Sequence, residues 1–282
     1  MIKQEMPIYI EFVQSIRRGF SVLDSSIQNE ITDFIISQQS KNGGFMDRSG
    51  NPDPYYSLFG HWLCLATKLN EQDLLLVNYI NKLKEGVTKN IIDKLSVLLI
   101  SIDLFPNNNK YSLFSILKEQ YKNSQTIDPA YHFFLLTLII DAAGKNKKLY
   151  YLIAKIWLSF YNPGNNIPCS LLAALTFAKN KVGLKYKKQQ SKLLNYSNEN
   201  GGFKVFKSAK NSDMLSTGVT LFVLEKIDYD LRMIKPGCLN FVEYNYLAGA
   251  FLSGDGDKTK DLEYTFYGLL ALGSLVEYEK QT

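Results

Sequence analysis

The chain has 282 residues, 46% of them hydrophobic and 21% charged, with a net charge of +5. That length supports a large core, in one big domain or two small ones. No apolar run reaches the roughly 18 residues that span a bilayer; the most apolar stretches, 95–105 and 133–143, are broken by Asp103 and Asp141. The N-terminus lacks a basic start leading into an apolar core and a small-residue cleavage site, so no secretory signal is read there. Cys64, Cys169 and Cys238 are isolated and odd in number, which argues against a disulfide framework and fits a reducing cytoplasm. The charge could favour an anionic ligand but is too small to indicate nucleic-acid binding without a basic patch or motif.

In chain order, almost every segment reads as helix. Ile27, Ile31, Phe34, Ile35 and Gln38 recur at three- and four-residue steps and predict a helix over 27–39, with Ser25 or Ser26 as N-cap. Asp53-Pro54 fits an N-cap with proline at the first helical position, ahead of an apolar helix to Leu69. Amphipathic helices are expected over 73–83, 89–104 and 111–121, with a stop at 105–109. Asp128-Pro129 opens a very apolar helix through Ala143, and Gly144 stands where a C′ glycine belongs. Helices over 149–160, 168–178, 187–196, 213–227, 237–246 and 261–278 complete the set. No alternating strand is found.

The helices are of two kinds. Some are mixed and bear Lys or Gln, as over 28–39 and 187–196. Others are apolar nearly all round, as over 55–69, 131–143, 169–178, 217–224 and 265–275, and such helices must be buried. The two kinds roughly alternate. This predicts an all-α fold in one domain, 1–282, with amphipathic helices ringing buried ones: an α/α toroid of about five or six hairpins. An α-solenoid would give similar pairs.

Three stretches share one order. Gly43-Gly44-Phe45, Gly201-Gly202-Phe203 and Gly249-Ala250-Phe251 are each followed by a polar loop, an aspartate (Asp53, Asp213, Asp261) and an apolar helix. The loop holds nine residues in the last two copies and seven in the first. Recurrence of a turn-loop-capped-helix unit signals a repeat architecture, and the Gly-Gly-Phe turn favours the closed ring over the open solenoid.

This combination resembles the repeat of protein prenyltransferase β subunits and terpenoid cyclases. The resemblance covers most of the chain and is sharp in the three units named. In the central third only Asp128-Pro129-Ala130-Tyr131-His132 is similar to the start of an inner helix. The last two units resemble the prenyltransferase branch, which binds a catalytic zinc through an Asp-x-Cys and the His of an Asp-x-Tyr-His-x-x-Tyr. Here these fall on Asp213-Met214-Leu215 and on Asp261-Leu262-Glu263-Tyr264-Thr265-Phe266-Tyr267. Leu215 replaces the cysteine and Tyr264 the histidine. Leucine cannot bind zinc and neutral tyrosine is a poor ligand, so zinc is not expected. The resemblance also implies a diphosphate site. Lys207 and Lys210 stand six and three positions before Asp213, where the family holds an isoprenoid diphosphate, and magnesium could accompany that group. Ser216 takes the place of a diphosphate-binding tyrosine. Independently of the family, two ammonium groups on a loop beside a helix N-terminus suit an anion.

The expectation is an isoprenoid-diphosphate-binding, prenyltransferase-like enzyme that works without zinc. Lys207 and Lys210 stabilise the leaving diphosphate; Asp213 and Tyr264 face the reacting carbon or acceptor, Tyr264 as a proton relay. Tyr55, Tyr131, Tyr264 and Tyr267 are candidates for an aromatic lining that suits a polyisoprenoid and its carbocation. His132 is a candidate catalytic residue or a hydrogen-bonded core histidine. The four aspartates are also natural N-caps, and the lysines ordinary solvated ones. Two other expectations stand beside this one. A catalytically silent toroid would bind a lipid or a helical partner protein. A cyclase would use a lone aspartate acid; its nearest string, Asp255-Gly256-Asp257, sits in a loop.

Overall fold

The structure is a computed structural model and describes residues 6–85, 91–105, 137–142, 147–164 and 166–276. Among these the chain is mainly helical, as its periodicity predicts. The helices are α1 (Ile8–Ser21), α2 (Ser25–Ser37), α3 (Pro54–Thr67), α4 (Asn70–Glu85), α5 (Ile91–Leu104), α6 (Lys147–Phe160), α7 (Cys169–Lys181), α8 (Lys187–Leu194), α9 (Met214–Lys226), α10 (Lys235–Tyr244) and α11 (Leu262–Leu275). Residues 137–142 are helical as well. The expected helix over 111–121, Gly144, Tyr131 and His132 lie outside the described residues.

Two compact units are formed: Met1–Val13 with Ile35–Tyr150, and Gln14–Phe34 with Tyr151–Thr282. In the first, α3 packs on α4 and α5, and its core gathers Phe12, Leu58, Phe59, Trp62, Leu63, Leu76, Ile80 and Leu98. In the second, α9 lies between α7 and α11, around Phe177, Leu221, Phe222, Leu224, Leu269 and Leu270. Four of the helices expected to be buried all round, over 55–69, 169–178, 217–224 and 265–275, are the ones at these centres; most of the fifth, 131–143, lies outside the described residues.

Helix α1 is absent from the elements expected from sequence. Its stripe of Ile8, Phe12 and Ile16 is interrupted by Ser15 and Gly19, and glycine is a poor helix former. Those small residues are what the packing needs. A Cβ on Gly19 would collide with the Leu269 carbonyl, and one on Gly273 with that of Ser15. The second half of α1 therefore lies backbone to backbone on α11. Arg18 clamps the contact, donating to the Gly273 carbonyl at 3.1 Å and pairing with Glu225 at 2.8 Å.

One strand pair also departs from the helical expectation. Tyr246–Leu247 pairs with Ala250–Phe251 in an antiparallel hairpin. Its two turn residues, Ala248 and Gly249, have φ of 40° and 86°, the combination a tight type I′ turn requires. Helix α10 thus ends at Tyr244 rather than 246, because the next residues enter the hairpin. Helix α8 likewise stops at Leu194, before the Ser197–Phe203 bridge.

Candidate functional site

The three repeated stretches fold into one kind of socket. In each, the phenylalanine is fully buried and pairs back on the end of the preceding helix: Gln39 with Phe45, Ser197 with Phe203, Tyr246 with Phe251. Its N–H donates to a hydroxyl four residues past the aspartate, Ser57 at 3.0 Å, Thr217 at 2.8 Å and Thr265 at 3.4 Å. The aspartate caps its helix by accepting from the N–H three residues on. Asp53 accepts from Tyr56 at 2.9 Å, Asp213 from Ser216 at 2.7 Å and Asp261 from Tyr264 at 2.8 Å.

The first glycine of each turn is left-handed, with φ of 93° at Gly43, 90° at Gly201 and 86° at Gly249. A Cβ there would collide with a carbonyl of another helix: Leu75 of α4, Gly237 of α10 and Glu30 of α2, respectively. Four residues beyond each of those carbonyls an aromatic residue closes the socket: the Tyr79 ring against Gly44, the Phe241 ring against Gly202 and the Phe34 Cβ against Gly249. The Gly-Gly-Phe or Gly-Ala-Phe signal in the sequence is therefore a device that docks each turn on a helix other than the two it connects.

The candidate site residues fall on this frame. Asp213 is 8% exposed, and burial raises its carboxyl above the ordinary aspartate range, with Asp255 adding to the effect and the bonds from Ser216 opposing it. Ser216 is sealed from solvent. Tyr264 and Tyr267 are half-buried on α11, and the Tyr267 backbone lies against Gly218, where α9 and α11 meet without a side chain between them. The two sockets are tied together by Met214 N–H donating to the Ser253 carbonyl at 2.7 Å. The structure thus brings Asp213, Ser216, Tyr264 and Tyr267 onto neighbouring helices. A zinc does not fit their donor set. Leu215 offers no donor atom, one oxygen of Asp213 is engaged as a cap, and the remaining groups are a serine hydroxyl and two phenols.

Lys207 and Lys210 are both exposed, yet they open onto different concavities. Lys207 lies over the Tyr196 ring, 5.4 Å from its centre. It shares a pocket of about 260 Å³ with Lys179, Lys188, Lys192, Tyr161 and Phe160, whose lining contains no carboxylate. Lys210 lines a groove with Asn198, Asn200, Asn211, Asn240 and Tyr244. The three further lysines around Lys207 escaped the motif comparison because they come from α7 and α8, not from its loop.

Asp255 accepts from Ser253 and from the Asp257 N–H, which hold its carboxyl below the ordinary range. That is the reverse of what a proton donor needs. Tyr55 is half-buried in an edge-on aromatic chain with Tyr56 and Phe59.

The first unit holds a cluster around a histidine that the sequence reads as a hydrogen-bonded core residue, with partners the sequence does not name. His61, on α3, is fully buried between two carboxylates: Nδ1 is 2.8 Å from Asp73 of α4 and Nε2 is 2.9 Å from Asp103 of α5. Tyr9 donates to Asp103 at 2.8 Å. Burial alone would lower the His61 pKa, but the two carboxylates outweigh it and push it up to about 9. His61 and Tyr9 in turn hold Asp103 below the ordinary range, although burial opposes them. The four residues lie as far apart as 94 positions in sequence, and none belongs to a recognisable motif.

No known family profile matches the chain, and neither a curated protein nor a solved structure shows significant similarity to it.

Proposed function

We propose that the chain is an α/α toroid of the prenyltransferase and terpenoid-cyclase kind, which binds an isoprenoid diphosphate and ionises or transfers it without zinc. The observation that carries this reading is the pocket at Lys207. Four lysines, no lining carboxylate and the rings of Phe160 and Tyr161 suit the anionic end of an apolar ligand. Closure into a ring is supported by the sockets: the turns at Gly43 and Gly201 seat on α4 and α10, each the second helix after its turn, and the turn at Gly249 seats on α2, near the start of the chain. Lys207 is the principal anion contact and stabilises the diphosphate as it leaves; Lys210 contributes from its neighbouring groove. Asp213 and Tyr264 hold the positions of the family's metal ligands, and Tyr264 is the group of the two whose hydroxyl could relay a proton.

Isothermal titration with farnesyl and geranylgeranyl diphosphate tests the reading. Binding that falls about tenfold or more in the Lys207→Ala, Lys210→Ala double variant supports it. No binding, or binding that the variant leaves unchanged, refutes it. Stoichiometric zinc in the purified protein would overturn the metal-free part.

A second reading is a catalytically silent ring that binds a lipid or a helical partner. It is favoured by the framework roles of the conspicuous groups: Asp213 and Asp261 cap helices, and Thr217 and Thr265 hold turns. Release of pyrophosphate from a bound isoprenoid diphosphate separates the enzyme from the binder.

A further inference from the structure

The lysines are unevenly distributed along the chain. Between Asp141 and Glu199 there are ten lysines and no aspartate or glutamate. The whole chain carries only +5, so the remainder is net −5. In the second unit this basic stretch folds so that Lys179, Lys188 and Lys192 meet Lys207 around the basic pocket. Lys179 is only 9% exposed, and burial lowers its pKa, so an arriving anion would relieve a desolvated ammonium.

An apolar face adjoins the pocket. On α6, Leu152, Ile153, Ile156 and Phe160 are 56%, 56%, 55% and 84% exposed. Their spacing of one, four and eight places them along one side of the helix. Ile153, Ile156 and Phe160, with Trp157 and Tyr161, line a shallow apolar trough of about 520 Å³. Trp157 and Tyr161 stack, with ring centres 4.5 Å apart. Phe160 and Tyr161 line both the trough and the basic pocket, so the two form one continuous surface.

A solvated helix has no use for four large apolar side chains turned outward. A polyanion such as nucleic acid would use the lysines but not Ile153, Ile156 or Phe160. A purely apolar partner would use the ridge but not four clustered ammonium groups. Anionic lipid uses both: acyl chains take the ridge, headgroup phosphates take the lysines, and Trp and Tyr sit at the boundary. Among the described residues no helix is long and apolar enough to cross a membrane, so the contact is a surface one.

We infer that this face docks the protein on an anionic lipid bilayer, with the α6 ridge in the interface and Lys188, Lys192 and Lys207 on headgroup phosphates. The inference stands on the ridge and the charge distribution, and does not require the diphosphate reading.

Co-sedimentation of the full chain with phosphatidylcholine vesicles, with and without phosphatidylglycerol, tests it. The expected result is binding to the anionic vesicles only, weakened by added salt. Each of Lys188→Ala and Lys192→Ala lowers the partition coefficient about fivefold. The Ile153→Asp, Ile156→Asp variant loses binding while keeping its melting temperature, because both side chains are more than half exposed, and keeps its affinity for a soluble isoprenoid diphosphate, because neither lines the basic pocket. Absence of vesicle binding, equal binding to neutral vesicles, or full binding by the Ile153→Asp, Ile156→Asp variant would overturn the inference. So would a dimer that this variant dissolves, which would assign the face to a second copy, or capture by polyglutamate without capture by vesicles, which would assign it to an acidic protein.

Discussion

The first and second sockets share a frame and differ in the interior of the helix that the frame begins. Both have a left-handed glycine, a buried phenylalanine, a capping aspartate and a hydroxyl that receives the phenylalanine N–H. Eight residues past the aspartate the two part. In α3 that position is His61, held between Asp73 and Asp103; in α9 it is Leu221, and in the third copy Leu269. All three are fully buried. The start of the buried helix is fixed by turn geometry and unpaired N–H groups, which every copy must solve alike. Its middle needs only to be filled, by leucine or by a charged group that brings its partners. A buried charge without them is costly; with them it selects which helices meet.

The frame is the more sensitive part. Gly201→Ala places a Cβ both in a left-handed backbone and against the Gly237 carbonyl, and is expected to cost about 4 kcal/mol from the two effects together. Gly50→Ala meets the same backbone demand, with φ of 81°, but open space, and costs about 1 kcal/mol. Denaturant titration of both variants separates docking from conformation; equal losses would mean that the glycine is kept for its φ alone.

Replacement of the charged filling comes next. His61→Leu makes unit 1 resemble unit 2 at that position but strands Asp73 and Asp103, at a cost of about 3 kcal/mol. Adding Asp73→Asn and Asp103→Asn recovers most of it if the cluster is interchangeable with an apolar one. The pH profile carries the same information. The folded pKa of His61 is raised to about 9, above the ordinary value of about 6.5. Its stabilisation is therefore complete below about 6.5 and disappears as the pH rises through about 9. Melting temperatures taken across that window should fall in the wild type and stay level in the His61→Leu variant. A smaller loss, about 2 kcal/mol, is expected of Thr217→Val, which leaves the Phe203 N–H buried without an acceptor. Ser57→Ala should cost the same in unit 1, since the device is identical there.

Sequence disclosed the frame because its parts are local. Phe203, Asp213 and Thr217 lie within fifteen residues, so glycine, cap and apolar run can be read together. The α1–α11 contact and the His61 cluster are long-range. Ser15 and Gly273 are neutral small residues until the opposing backbone arrives. Asp73 and Asp103 look like ordinary polar positions on amphipathic helices until α3 places a histidine between them. For the same reason the loop comparison found Lys207 but not Lys179, Lys188 or Lys192, which reach its pocket from two other helices. Lys207 and Lys210, three residues apart on one loop beside a helix N-terminus, read as a pair in sequence, whereas they line separate grooves.

The finest distinction lies between cap and carboxylate at Asp213. Asparagine caps a helix about as well as aspartate, so Asp213→Asn keeps the bond from the Ser216 N–H, whereas Asp213→Ala loses it and costs about 1 kcal/mol. Asp213 differs from an exposed cap in that burial raises its carboxyl pKa. A raised acid favours folding while it is protonated; that contribution is present below the ordinary aspartate value of about 3.9 and is lost as the pH rises through the folded pKa. At neutral pH the charged form is therefore held at a cost that asparagine escapes. Asp213→Asn should be neutral or stabilising by less than about 1 kcal/mol at pH 7, and less favourable relative to wild type in acid. Denaturation of the three proteins in acid and at neutral pH checks this. If asparagine is markedly destabilising at neutral pH, the negative charge itself is needed at the start of α9, and Asp213 is more than a cap.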